Sequence, residues 1–126
     1  MNACKQFGEF LRDLRTKKGY GLREFARKID ILPSNYHHVE AGINKPPQEQ
    51  SRISRILLEL GIADDDALRA KFYDLHGKAV KDVPLDVAEV IKESDAIPML
   101  LRTIDNRKLT EREVRNLIKH VRGIKQ

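Results

Sequence analysis

Within the six residues from Pro33 to His38 the chain carries Ser34, Asn35, His37 and His38, side chains that both donate and accept hydrogen bonds. Asn35 donates and accepts in one fixed plane. His38 lies one helical turn after Ser34, on the same face if the run is helical. The adjacent histidines raise the question of a metal, with Glu40 or His76 as a further ligand. Neighbours on a helix point about 100° apart and share an ion poorly, so exposed, metal-free histidines are the expectation. Cys4 is the single cysteine, with no partner for a disulfide or a redox couple. Asp64-Asp65-Asp66 could suggest a cation site, but helix capping accounts for all three. There is no Gly-rich phosphate loop, no nucleophile elbow and no His-Glu-x-x-His helix, so no catalysis, cofactor or metal is expected.

The elements that must position these side chains read as helices throughout. Phe7, Phe10, Leu11 and Leu14 fall at i, i+3, i+4 and i+7, and Gly19 follows as a stop. A short helix is expected over Leu22–Ile29. Another begins near Pro33, where the missing N–H costs nothing, and ends before Gly42. Ile53, Ile56, Leu57 and Leu60 repeat the pattern, and Gly61 closes it. A fifth helix is expected from about Asp65 to His76, capped by Asp64. Residues 77–83 read as a linker. A second helical module over 84–126 is expected to hold Leu85–Glu93, Ile97–Asp105 and Glu111–Ile124, the last with a capping box at Thr110-Glu-Arg-Glu113.

Charge is distributed unevenly over the 126 residues, whose net charge is +5. From Lys5 to Arg55 there are 11 Lys/Arg against 6 Asp/Glu, and from Ile56 to His76 2 against 5. From Arg102 onward there are 8 against 3. The basic N-terminal stretch suits a polyanion. The basic tail reads as a solvated helix face more readily than as a second nucleic-acid site. No apolar run approaches the ~20 residues of a membrane span, and no apolar signal segment follows a basic start. With the lone cysteine, this gives a cytoplasmic expectation.

Two short helices joined by a tight turn, after a longer helix, suggest a helix-turn-helix. The ordered set Phe10-Leu-Arg-Asp-Leu-Arg-Thr-Lys-Lys-Gly19, Gly21-Leu-Arg-Glu-Phe-Ala-Arg-Lys-Ile29, Ser34-Asn-Tyr-His-His-Val-Glu40, Gly42 and Lys45-Pro-Pro47 resembles the Xre family, the phage-repressor-like helix-turn-helix regulators. The resemblance spans about Phe7 to Leu75. It implies a bacterial or phage DNA-binding protein whose second motif helix enters the major groove. Carried over by position, Pro33, Ser34, Asn35, His37 and His38 are the base-facing residues. Arg23, Asn44 and Lys45 are phosphate contacts, and Arg15 and Glu40 a structural ion pair. Ala26 stands where the two motif helices cross. Asp30 replaces the usual turn glycine, Leu32 the usual Ser/Thr N-cap, and Pro33 a frequent polar reader.

The fold expected is all-α: a five-helix DNA-binding domain over 1–76, the linker, and a small module over 84–126. That module is too short for a self-sufficient core. It is expected to pair two copies through Leu100, Leu101, Ile104, Val114, Leu117, Ile118 and Val121. The expected function is repression by a homodimer on a palindromic operator of double-stranded DNA. Two protein partners are alternatives: a zinc metallopeptidase that cuts the second module, for which Met99-Leu-Leu-Arg102 is the candidate stretch, or a toxin for which the chain is the antitoxin.

Overall fold

The computed structural model describes residues 2–125, and among them there are eight helices and no strand. They are α1 (Ala3–Lys17), α2 (Leu22–Lys28), α3 (Pro33–Glu40), α4 (Gln50–Glu59), α5 (Asp66–Val80), α6 (Leu85–Ile91), α7 (Ala96–Asn106) and α8 (Glu111–Arg122). None is long and apolar enough to cross a membrane. The chain divides into two compact units, the first ending at Asp86 and the second starting at Val87.

The first unit owns the core. Phe7, Phe10 and Leu11 of α1, Phe25 and Ala26 of α2, Tyr36 and Val39 of α3, Ile53, Ile56 and Leu57 of α4, and Phe72 and Tyr73 of α5 are all buried. Aromatic rings meet edge to face between α1 and α5, with Phe7 and Phe72 centroids 5.3 Å apart. Phe25 and Tyr36 join α2 to α3 at the same distance.

Helices α2, α6 and α8 end one or two residues earlier than the sequence reading has them, at Lys28, Ile91 and Arg122, α7 is one residue longer at each end, and α5 differs at both ends. The cap of α5 is Asp65, whose carboxylate accepts from the Leu68 amide at 3.0 Å, and not Asp64. And α5 continues through the first part of the expected linker, because Gly77 and Ala79 carry its buried face four more residues past His76. Its stop is Lys81, held at φ 59°, where the Asp82 amide reaches back to the Gly77 carbonyl at 2.9 Å. A lysine in the left-handed region is not a signal that sequence punctuation rules look for.

What sets α3 in place is its contact with α1. Gly8 lies on α1 directly under the end of α3. A Cβ there would overlap the Glu40 carbonyl oxygen and come within 2.6 Å of that of Val39. Beside this close approach, Arg15 grips Glu40 with two parallel bonds: Nε donates to Oε2 at 2.7 Å and Nη2 to Oε1 at 2.9 Å. Its remaining nitrogen, Nη1, donates to the Tyr20 carbonyl at 2.9 Å. The pair is nearly closed off from solvent, with side-chain exposures of 10% and 6%. Hydrogen bonding to Glu40 raises the Arg15 pKa still further, against the burial that lowers it. The Tyr36 hydroxyl is enclosed next to the same carboxylate and lacks a well-formed hydrogen bond among the described residues. Burial first, and the nearby Glu40 second, push its phenol far above the ordinary range.

Three outcomes follow. Gly8→Ala forces α1 away from α3 and lowers unfolding free energy by about 3 kcal/mol in urea titration. Glu40→Gln leaves a buried guanidinium uncompensated and costs about 3 kcal/mol, whereas the double change Arg15→Met/Glu40→Leu costs less than Glu40→Gln alone. Since the folded chain keeps the Tyr36 proton that the unfolded chain releases above about pH 10, stability is fully present below that pH and falls as pH rises beyond it. Urea midpoints between pH 8 and 11 will fall less steeply for Tyr36→Phe than for the wild type.

Candidate nucleic-acid interface

The unit formed by α2, a four-residue turn and α3 is built from backbone bonds before any side chain is exposed. Glu24 reaches back to accept from the Gly21 amide at 3.3 Å at the start of α2. Phe25, Ala26 and Ile29 bury the inner face, and Ala26 is wholly covered. The helix then stops with two reverse bonds, from the Ile31 amide to the Ala26 carbonyl at 2.9 Å and from Asp30 to Arg27 at 3.2 Å. Those bonds need a left-handed residue at Asp30, and its φ is 56°. Aspartate adopts that conformation more readily than most residues, so it does the work of the glycine expected there.

Two arginines the sequence reading passed over hold this stop from outside. Arg52 Nη2 donates to the Asp30 carbonyl at 3.0 Å, and Arg55 Nε donates to the Lys28 carbonyl at 2.9 Å. Both lie on α4, and they neutralise carbonyls that the end of α2 leaves without helical partners. Their only sequence signal is position, one turn apart on the polar side of an amphipathic helix.

α3 starts without a side-chain cap. Leu32 occupies the cap position, its carbonyl accepting from the Tyr36 amide at 2.9 Å, and Pro33 is the first helical residue. Tyr36, Val39 and Glu40 form the buried face of α3. On the other side Ser34, Asn35 and His37 are exposed, while Pro33 and His38 are half-buried. The two histidine rings sit 5.7 Å apart but diverge in surroundings. His37 lines a shallow groove with Arg12, Arg15, Leu22, Glu40 and Ala41, toward α1 and α2. The exposed Ser34 and Asn35 and the half-buried His38 do not line that groove and form the remaining polar strip of α3. Leu32 is 68% exposed at the tip of the helix, a large apolar side chain with no core to enter. Such a group can contact a thymine methyl, a use that reading it only as a lost cap overlooks.

Beyond α3, Gly42 takes φ 76° and the amides of Ile43 and Asn44 both return to the His38 carbonyl, at 2.9 and 3.1 Å. A Cβ on Gly42 would lie 2.7 Å from the Lys5 Cα, so this turn too is pressed against α1. Asn44 and Lys45 then stand exposed on the loop, and Arg23 is exposed at the start of α2. Pro46 is buried, and the Pro47 carbonyl lies 2.7 Å from His76 Nε2, which ties the loop to α5. The possible metal set of His37, His38, Glu40 and His76 is therefore dispersed: Glu40 is bound by Arg15, and His76 is enclosed against Pro47 and the ring of Phe7. No group of three or more His, Cys, Asp or Glu side chains placed to hold a metal occurs among the described residues.

The result is a short helix about 12 Å long, buried along one side and polar along the other, with exposed cations before it at Arg23 and after it at Lys45 in the chain. A helix of this size enters a B-DNA major groove, where each base pair shows a distinct pattern of donors and acceptors. A family model described as a helix-turn-helix domain matches residues 6–70. No curated protein and no solved structure matches the chain. The matched stretch covers α2, the turn, α3 and α4 together with most of α1 and the start of α5, and the chain belongs to the helix-turn-helix domain family.

Proposed function

We propose that the chain is an Xre-type transcriptional repressor that acts in the cytoplasm as a homodimer on a palindromic operator. It works by occupying a promoter and catalyses no reaction. The observation that carries this reading is the polar strip of Ser34, Asn35 and His38 on a helix held from behind by Arg15 and Gly8 and preceded by a turn that the α4 arginines brace. Ser34 and Asn35 in the first turns of α3 read base edges, with His38 one turn on and Pro33 and His37 at the flanks. Arg23, Asn44 and Lys45 hold the phosphates on either side and set the register.

Dimerisation through residues 84–126 is supported by what the second unit lacks. Among its described residues none is buried. Leu100, Leu101, Ile118 and Val121 are 44–56% exposed, and Ile104, Val114 and Leu117 are half-buried. The amphipathic helices α7 and α8, which bury no side chain, gain a core when two copies share one. A dimer also reads two half-sites about 34 Å apart, which gives the discrimination one short helix lacks. Proteolytic release belongs to the same proposal. Met99, at 65% exposure, is open to a peptidase, but Met99–Arg102 lies inside α7, so cutting requires that helix to unwind locally.

Gel shifts of the chain with its own upstream DNA test the reading. Alanine at Ser34, Asn35 or His38 lowers the preference for operator over random duplex by about 1–3 kcal/mol for each base edge left unread. Lys45→Ala weakens binding to both duplexes and flattens the salt slope by about one unit. Equal weakening on operator and random DNA for the first three would remove them as readers. Light scattering gives twice the monomer mass for the free chain, and Leu117→Asp/Val121→Asp returns it to the monomer.

A further inference from the structure

α8 sorts its side chains onto two faces. Val114, Leu117, Ile118 and Val121 form the apolar stripe. Arg112, Arg115, Lys119 and Arg122 follow one another at spacings of three, four and three residues, which puts them together on a second face turned about 130° from the first. All four are exposed. The two acids of α8 sit in its first turn, and both are engaged. Glu113 Oε1 accepts from the Thr110 amide at 3.0 Å in the capping box, which holds its carboxyl below the usual range, and Glu111 pairs with Arg115 at 3.1 Å. From Val114 to Lys125 there is no Asp or Glu. Arg112, Lys119 and Arg122 make no ion pair among the described residues, so neighbouring like charges work against the helix that carries them.

We propose that this basic face is a second duplex-binding surface, one that takes the sugar-phosphate backbone and adds affinity without reading sequence. The inference rests on the reading of duplex DNA as the partner of α3. A solvated helix face intersperses both signs of charge, and here the acids are confined to one end. The span from Arg112 to Arg122 is about 15 Å, the axial length over which one strand of B-DNA presents about four phosphates. Because the apolar stripe lies on a different face, a second copy can cover it and leave the cations open. An anionic membrane surface is the competing occupant of a basic amphipathic helix. α8 lacks the aromatic side chains that anchor such helices in a bilayer boundary, and the chain already belongs to a DNA-binding family.

The test compares the full-length chain with Arg112→Gln/Lys119→Gln/Arg122→Gln, which leaves the apolar stripe, the capping box and the Arg115–Glu111 pair intact. Binding to a random-sequence duplex and to the upstream DNA is measured from 50 to 300 mM salt. The plot of log affinity against log salt is expected to be shallower by about 2.7 for the triple variant on both duplexes, about 0.9 for each phosphate no longer neutralised. The ratio of operator to random affinity stays within twofold. Each single substitution gives about one third of the slope change, which keeps the test informative if circular dichroism shows the triple variant misfolded. An unchanged slope beside retained operator binding overturns the inference and leaves the α3 reading standing. An unchanged slope with loss of binding to phosphatidylserine vesicles assigns the face to a membrane instead. Absence of duplex binding by the wild-type chain at any salt defeats the α3 reading itself, and this inference with it.

Discussion

The second helix of the motif, α3, has eight residues, too few to hold a fixed direction by its own hydrogen bonds. Its direction comes from α1. The bidentate contact of Arg15 with Glu40 fixes the last turn of α3 at one distance and one rotation, since the guanidinium fork donates to both carboxylate oxygens in a single plane. Gly8 lets the two backbones approach until the pair can close, and Gly42 does the same for the turn that follows. A buried ion pair contributes little net stability against an apolar substitute, but it specifies orientation in a way that apolar contacts do not. Orientation is what a DNA-reading helix needs, because a base contact depends on where a side chain tip arrives.

The other end of α3 is held by different means. It has neither a turn glycine nor a capping hydroxyl, and its first turn starts from Leu32 and Pro33. Compensation comes from the reverse bonds around Asp30 and from the two α4 arginines that grip the end of α2. The tip is thus supported by two surface side chains of α4, Arg55 exposed and Arg52 half-buried.

Much of this was legible before the structure. The i, i+3, i+4, i+7 runs located the helices because burial of one face dominates helix placement, and Phe7, Phe10 and Leu11 are indeed inside. The end of α5 was misjudged because its continuation is held by close packing at Gly77 and stopped by a left-handed lysine, neither of which periodicity registers. Gly8 was invisible for a related reason: a glycine within a helix advertises itself only through the atom it lets approach, here the end of a helix more than thirty residues away. The arginines of α4 looked like ordinary surface cations, since a bond to a carbonyl distant in sequence leaves no spacing rule behind. The polar face of α3 could be listed from sequence, but not the separation of His37 toward α1 from the strip of Ser34, Asn35 and His38.

The two units divide the work along physical lines. The first has a closed core and presents a rigid polar helix, and the second has amphipathic helices with no core among its described residues. On the proposed reading such a unit is completed by a second copy of the chain, which would couple assembly to a two-fold symmetric DNA site. The most direct test of this account is selection of bound sequences from a pool of random duplexes by the full-length chain. It predicts enrichment of an inverted repeat whose half-site centres lie about one helical turn, or a whole number of turns, apart. Enrichment of no sequence, or of a single unrepeated half-site, would contradict it.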